Sequence, residues 1–226
     1  MARTGADIER EKRIAAERSA QLVQTGMRVG LGTGSTVAFL LPALAERGLD
    51  LRCVTTSLAT ERQARDLGLQ VEPFEGAGSL DRLDIAIDGA DQVDASGWLV
   101  KGGGAAHTRE KRVAAAADRF VVIVDSGKLV DRVHAPVPVE LLDFGLAATL
   151  RDLATVSLRD VPRSPDGGVI ADFEGSVDDA AALATRLDAT PGLVAHGLFP
   201  PSMVSEVVIG RGEDAELRRM GAAPTS

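Results

Sequence analysis

Three carboxylates and one ammonium stand out in this 226-residue chain by type and spacing. Asp88-Gly89-Ala90-Asp91 follows the apolar run Ile85-Ala86-Ile87, so two acids are delivered to the end of a strand. In open α/β sheets that edge is where ligands bind. Ten residues after Asp91 comes Lys101, then Gly102-Gly103-Gly104, then a helical stretch carrying Glu110. Three glycines before a helix leave bare N–H groups that a polar ligand can approach closely. Proton abstraction beside a carbonyl needs a carboxylate base, donors for the developing enediolate oxygen and a second group to move hydroxyl protons. Taken singly, Asp88 and Asp91 are accounted for as turn residues and Glu110 as solvated helix surface. The set on one edge favours the chemistry.

A second cluster, Gly30-Leu31-Gly32-Thr33-Gly34-Ser35-Thr36, lies between a strand and a helix, where main-chain N–H groups and hydroxyls favour an anion. The dinucleotide fingerprint would need a third glycine at Ser35 and an acid near Thr55 or Thr56. A nucleoside-triphosphate loop would need a lysine that this turn lacks. A small phosphate ester remains; the plainer account is a tight turn with a Ser/Thr cap. Only four of the 25 basic residues are lysine: Lys12, Lys101, Lys111 and Lys128. An ammonium and a guanidinium fork are not interchangeable at a packed polar site, so each lysine is a candidate for a role arginine cannot fill, or a chance remainder of an Arg-rich chain. His107, His134 and His196 are scattered and Cys53 is alone, which argues against a structural zinc site and an internal disulfide. His107, one helical turn before Glu110, is placed to face the same site, with helix surface as the better account. Ser126 in Asp125-Ser126-Gly127-Lys128 admits a Ser-Lys nucleophile, with a turn after a buried strand as the better account.

These residues need elements to position them. Helical patterns cover 7–25, 36–47, 58–67 and 105–117; strand patterns cover 28–31, 51–55, 70–72, 84–88 and 119–124, with a polar turn at 89–94. Strands alternating with helices predict a Rossmann-like parallel sheet covered on both faces. The rhythm changes near residue 130. An extended stretch around Pro136 and Pro138, a helix at 144–153, a hairpin of 155–159 and 168–173, a helix at 177–189 and a strand at 193–198 predict a smaller α+β domain of ferredoxin-like type. A final strand at 204–209 returns to the first sheet, and the tail after Gly210 reads as polar with a mobile end. The expected division is 1–130 with 204–226 as the catalytic domain and 131–203 as the small domain.

Composition bounds the rest. Glycine, at 24 residues, exceeds the usual ~7% and clusters at 30–34, 76–78 and 102–104. A net charge of −8 argues against a nucleic-acid-binding surface. No apolar run is long enough for a membrane span, the N-terminus carries no secretory pattern, and one cysteine fits a cytoplasmic location.

The chain resembles ribose-5-phosphate isomerase of type A over nearly its whole length. The resemblance is carried by Gly32-Thr33-Gly34-Ser35-Thr36, Asp88-Gly89-Ala90-Asp91, Lys101-Gly102-Gly103-Gly104-Ala105, Thr108-Arg109-Glu110-Lys111, Lys128, Pro136-Val137-Pro138-Val139-Glu140 and Gly197-Leu198-Phe199. It implies an aldose–ketose isomerase of the pentose phosphate pathway, free of metal and cofactor, acting on D-ribose 5-phosphate and D-ribulose 5-phosphate through an enediolate. By the same resemblance Glu110 is the base between C1 and C2. Asp88 handles hydroxyl protons and ring opening, and Asp91 and Lys101 stabilise the enediolate. Thr33, Gly34, Ser35, Thr36, Gly89, Ala90, Gly102, Gly103, Gly104, Lys128 and Lys12 are substrate and phosphate contacts. The resemblance further implies a homodimer or homotetramer built through the small domain. Gln92 stands where the family usually has Glu, His107 where leucine is common, Asp125-Ser126-Gly127-Lys128 departs from the usual Ser-Lys form, and Ser164-Pro165-Asp166-Gly167-Gly168 from a Thr-Asp-Asn-Gly-Asn turn. Rival readings are an amino-sugar-phosphate deaminase or CoA transferase of similar fold, and a non-catalytic sugar-phosphate sensor. The 25 residues before the first strand are too few for the DNA-reading module that a sensor would need.

Overall fold

Thr4 opens the first helix. Its hydroxyl accepts from the N–H of Asp7 and the Asp7 carboxylate accepts from the N–H of Thr4, a reciprocal cap that starts α1 (Gly5–Ala20). The structure, a computed structural model, describes residues 3–220. In chain order follow β1 (Arg28–Leu31), α2 (Val37–Ala45), β2 (Arg52–Thr55), α3 (Leu58–Asp66) and β3 (Ile85–Asp88). Next come β4 (Gln92–Asp94), β5 (Leu99–Val100), α4 (His107–Ala116), β6 (Phe120–Asp125), β7 (Leu129–Val130) and β8 (Val137–Leu141). The remainder is α5 (Leu146–Leu153), β9 (Val156–Leu158), β10 (Val169–Phe173), α6 (Ala180–Asp188), β11 (Leu193–His196), β12 (Leu198–Phe199), β13 (Glu206–Arg211) and β14 (Asp214–Arg219).

One compact unit comprises Arg109–Lys128 with the described parts of Met1–Ala90 and Ser202–Ser226. Its sheet runs β14-β13-β6-β3-β1-β2, parallel throughout except for the β13–β14 hairpin. Parallel strands buried on both sides require apolar runs, and every residue of β6 is buried. Val29, Leu31, Ile85 and Ile87 share one face with core residues of α1, α2 and α3. The alternate residue Gly30 faces the other side, where a Cβ would press on Val113 of α4. Burying a side chain such as Leu31 or Ile87 contributes about 1.5–3 kcal/mol, so the strands end at fixed positions. From β1 the chain moves to β2 on one flank and then to β3 on the other. The topological switch therefore falls between the C-terminal ends of β1 and β3.

The second unit comprises Asp91–Thr108 and Leu129–Pro201. Its four-stranded sheet, β11-β8-β10-β9, is antiparallel, and the chain order β8-α5-β9-β10-α6-β11 is the ferredoxin-like arrangement. Val137, Val139, Leu141 and Phe173 meet Leu153 and Leu187 in its core. A smaller sheet, β12-β5-β4-β7, joins the β4–β5 hairpin to the short strands β7 and β12. For that reason 91–108 groups with 129–201 rather than with the segments expected beside it.

Four further differences from the sequence expectations have clear causes. Residues 70–72 form one bridge, Val71 to Cys53, instead of a strand. The 89–94 segment is a turn that continues into β4. The expected strand at 193–198 divides at Gly197, its halves joining different sheets. The polar tail after Gly210 contains β14, an edge strand paired along its length with β13; Ala215 and Leu217 pack on the core, and charged alternation suits an edge. Residues 221–226, where a mobile end was expected, lie outside the described residues. Among the described residues no helix is long and apolar enough to cross a membrane.

Candidate active site

Asp88 is the last residue of β3, at the switch point, and it is buried. Its Oδ1 accepts from the N–H of Thr33 at 3.0 Å and from the N–H of Gly89 at 2.7 Å. The carboxylate lies directly over Gly32, and a Cβ at position 32 would occupy its space. Glycine is needed there for close approach. The turn itself is braced from outside. Thr60 Oγ1 donates to the carbonyl of Gly32 at 2.9 Å, and the hydroxyls of Thr33 and Thr56 are 2.6 Å apart. Thr36 occupies the N-cap position of α2 without a side-chain capping bond, so the alternative of a Ser/Thr cap is not what shapes the turn. The arrangement favours an anion at the start of α2. Lys12, on α1, donates from Nζ to Ser35 Oγ at 2.9 Å, which brings it to this turn. Gly34 and Ser35 are exposed, whereas Thr36 is buried.

Glu110 sits in the first turn of α4 and is buried. The far end of that helix is tied to the approach to β3, with Leu83 N–H donating to the carbonyl of Ala116 at 2.8 Å. Six residues back along the helix, about 9 Å, Glu110 lies toward the edge of the sheet where Asp88 stands. It also shares its helix face with Val113, which packs over Gly30. Lys128 ends a short 3₁₀ turn, Ser126–Lys128, directly after β6, at the same edge. Thus Lys12, the Gly32–Thr36 turn, Asp88, Gly89, Ala90, Glu110 and Lys128 all belong to the first unit.

Asp91, Lys101 and Gly102–Gly104 belong to the second unit. Asp91 N–H donates to the carbonyl of Val100 at 2.8 Å, extending the β4–β5 pairing, so Asp91 lies across from Lys101 despite ten residues of separation. Asp94 closes that hairpin by accepting from the N–H groups of Ser96 and Trp98 and from the Ser96 hydroxyl. Asp91 Oδ2 accepts from the N–H of Gly103 at 2.7 Å. Lys101 is buried, its N–H donates to the carbonyl of Gly197 at 2.8 Å, and its Nζ lies 5.5 Å from the centre of the Phe199 ring. Gly102, at φ +104°, leaves room for His107; a Cβ there would come within 2.8 Å of Pro138 and 2.7 Å of His107 Nδ1. His107 is accordingly wholly buried, which corrects its reading as helix surface.

Sequence reasoning missed the residues that brace these groups. Arg159 donates to the carbonyls of Gly102 and Gly103 at 2.8 and 3.3 Å while Asp172 holds it by two 2.6 Å contacts. Glu140 is buried and accepts from the hydroxyls of Thr108 and Ser164. Nothing local marks Arg159; Thr60 carried a weak signal in the Ser57 N-cap it follows. Ser126 is a turn residue whose hydroxyl donates to Glu11, the account expected over a nucleophile. Burial pushes the Cys53 thiol up to about 12, so it stays neutral. Among the described residues no group of three or more His, Cys, Asp or Glu is placed to hold a metal ion.

Comparison with known proteins adds a consistent finding. Residues 52–214 match the family model of ribose 5-phosphate isomerase A (phosphoriboisomerase A). A ribose-5-phosphate isomerase A of Halobacterium salinarum is 42% identical over 96% of this chain and 99% of its own length. One of Roseobacter denitrificans is 42% identical over 91% of this chain and 85% of its own. Among solved structures, a D-ribose-5-phosphate isomerase in complex with phospho-erythronic acid superposes with a TM-score of 0.86, 32% identity, and 94% and 99% coverage of the two chains.

Proposed function

This chain belongs to the ribose 5-phosphate isomerase A family, and on that premise we propose how its residues interconvert D-ribose 5-phosphate and D-ribulose 5-phosphate. Glu110 takes the proton from C2 of the open-chain aldose. The C2 electron pair forms the C1–C2 double bond as the carbonyl pair moves onto O1. The Lys101 ammonium neutralises that charge, while Asp91 holds the Gly102–Gly104 run in place by accepting the Gly103 N–H. Asp88 moves the proton from O2 to O1, as it earlier assists opening of the ring. Collapse to the C2 carbonyl then lets Glu110 return its proton to C1. The Gly32–Thr36 turn takes the phosphate with Lys12 and Lys128, and Gly89 and Ala90 border the sugar.

The observation that supports this reading most is the Asp88 carboxylate, held by the N–H groups of Thr33 and Gly89 at the switch point where the anion-favouring turn begins. Isomerisation in D₂O should place deuterium at C1 of the ketose or C2 of the aldose, read by NMR. Deuterium uptake marks proton transfer through a base that exchanges with solvent, and full turnover by Glu110→Gln would remove the carboxylate base. The deaminase and sensor readings gain no support from the relatives found. A cytoplasmic location and a homodimer or homotetramer complete the proposal. Exposed Leu142, Phe144 and Leu158 on the second unit favour assembly through it.

A further inference from the structure

Glu11 has no part in the steps above, yet its carboxylate is buried on α1. A buried carboxylate is costly unless donors surround it, and this one is surrounded. Oε2 accepts from the N–H of Ser126 at 3.0 Å, from the Ser126 hydroxyl at 2.8 Å and from the Arg3 guanidinium at 2.9 Å. Oε1 accepts from the N–H of Gly212 at 3.1 Å. Arg3 also binds Asp125 Oδ1 at 2.5 Å, and that same oxygen accepts from the N–H of Gly127 at 3.0 Å. Burial pushes the Glu11 carboxyl up, but the bonds from Gly212 and Ser126, with the charge of Arg3, outweigh it and hold the group ionised below its ordinary value.

Two of these bonds pin Ser126, the first residue of the 3₁₀ turn that ends at Lys128. The next residue on α1, Lys12, binds Ser35 of the glycine-rich turn. Consecutive residues of one helix thus set both segments assigned to the phosphorylated substrate. We infer that Glu11 is a positioning residue for substrate binding, its carboxylate fixing the Ser126–Lys128 turn, and so the Lys128 ammonium, relative to the Gly32–Thr36 turn. The inference rests on the proposed role of Lys128.

Glutamine at position 11 keeps the volume but offers one accepting oxygen. In either flip its NH₂ faces donors, those of Ser126 and Arg3 or that of Gly212. Steady-state kinetics on ribose 5-phosphate with Glu11→Gln, Lys128→Gln and the double variant, with melting curves for each, test the idea. Glu11→Gln should raise KM about five- to tenfold with kcat within about twofold, and should add little to the KM of Lys128→Gln. A lowered melting temperature with KM unmoved marks a purely structural role and overturns the inference. So does a KM effect that multiplies in the double variant, which would place the action of Glu11 elsewhere. If Lys128→Gln itself leaves KM unchanged, the role of Lys128 fails and takes the inference with it; a KM rise for Lys128→Gln alone overturns only Glu11. Should Glu11→Gln not fold, Ser126→Ala removes one bond and should raise KM about two- to threefold, again only when Lys128 is present.

Discussion

Glu110 gains its character from where it stands rather than from its type. A carboxylate in the first turn of α4 is favoured by the helix dipole, and burial spares it competition from water. Glu110→Gln keeps the shape and removes the proton acceptor. Its kcat should fall about 10²- to 10⁴-fold, with deuterium uptake falling in step and a circular dichroism spectrum of a folded chain. Near wild-type turnover would take Glu110 out of the reaction. Gln92 closes a loop through its side chain. Its carboxamide accepts from the N–H of His134 at 2.8 Å and donates to the His134 carbonyl at 3.0 Å. A glutamate could make only the first of these bonds. The motif Asp88-Gly89-Ala90-Asp91 was readable from residue types, whereas the burial of His107 depended on space left by Gly102 and Pro138, which no single-residue rule supplies.

At the scale of elements, the two ends of the large sheet divide their work. At the C-terminal edge stand Asp88 and the glycine-rich turn; at the other, Arg28 opens β1 and holds Asp84 by a 2.8 Å ion pair and its own N–H at 2.7 Å. Hydrogen bonds from the Arg28 side chain and main chain hold the Asp84 carboxyl down at about 2, against an ordinary 3.8. A folded value below the unfolded one means stability that is complete above about pH 4 and lost as pH falls toward 2. The pair is about one-third exposed, so solvent screening reduces it to about 1 kcal/mol. In urea titrations Asp84→Asn should be about that much less stable at pH 7, with the gap narrowing below pH 4. Its kcat/KM should match the wild type, because the site lies at the opposite edge. A gap that stays constant with pH would show that the charge is not what matters. The β4–β5 hairpin was the element least legible in the sequence. Its strands are two and three residues long, too short for an alternation pattern, and Asp94-Ala95-Ser96-Gly97 was its only turn signal.

For the whole molecule, the division between units runs through the two acidic motifs. The chain leaves the first unit between Ala90 and Asp91 and re-enters it between Thr108 and Arg109. Each of these units has a core of its own. The second unit exposes Leu142, Phe144, Leu158, Val161 and Val194, with Phe144 at 94%. Under the proposed assembly these residues would meet another chain. Light scattering should return the mass of two or four chains, falling for Phe144→Ser; a wild-type monomer at micromolar concentration would remove the proposed assembly.

The amino-acid order by itself determined the alternation of strands and helices, the glycine-rich turn, the acidic turn, Glu110 near a helix start, and the change of architecture near residue 130. All of these are written in short windows, through hydrophobic period, glycine runs and adjacent acids. Only the tertiary structure decided that Gly32 makes room for Asp88, that a hairpin carries Lys101 to Asp91, that β14 closes the sheet edge, and that Glu11 is buried against Ser126 and Gly212. Each of those depends on atoms remote in sequence, and close approach, strand pairing and burial are set by the partner as much as by the residue itself.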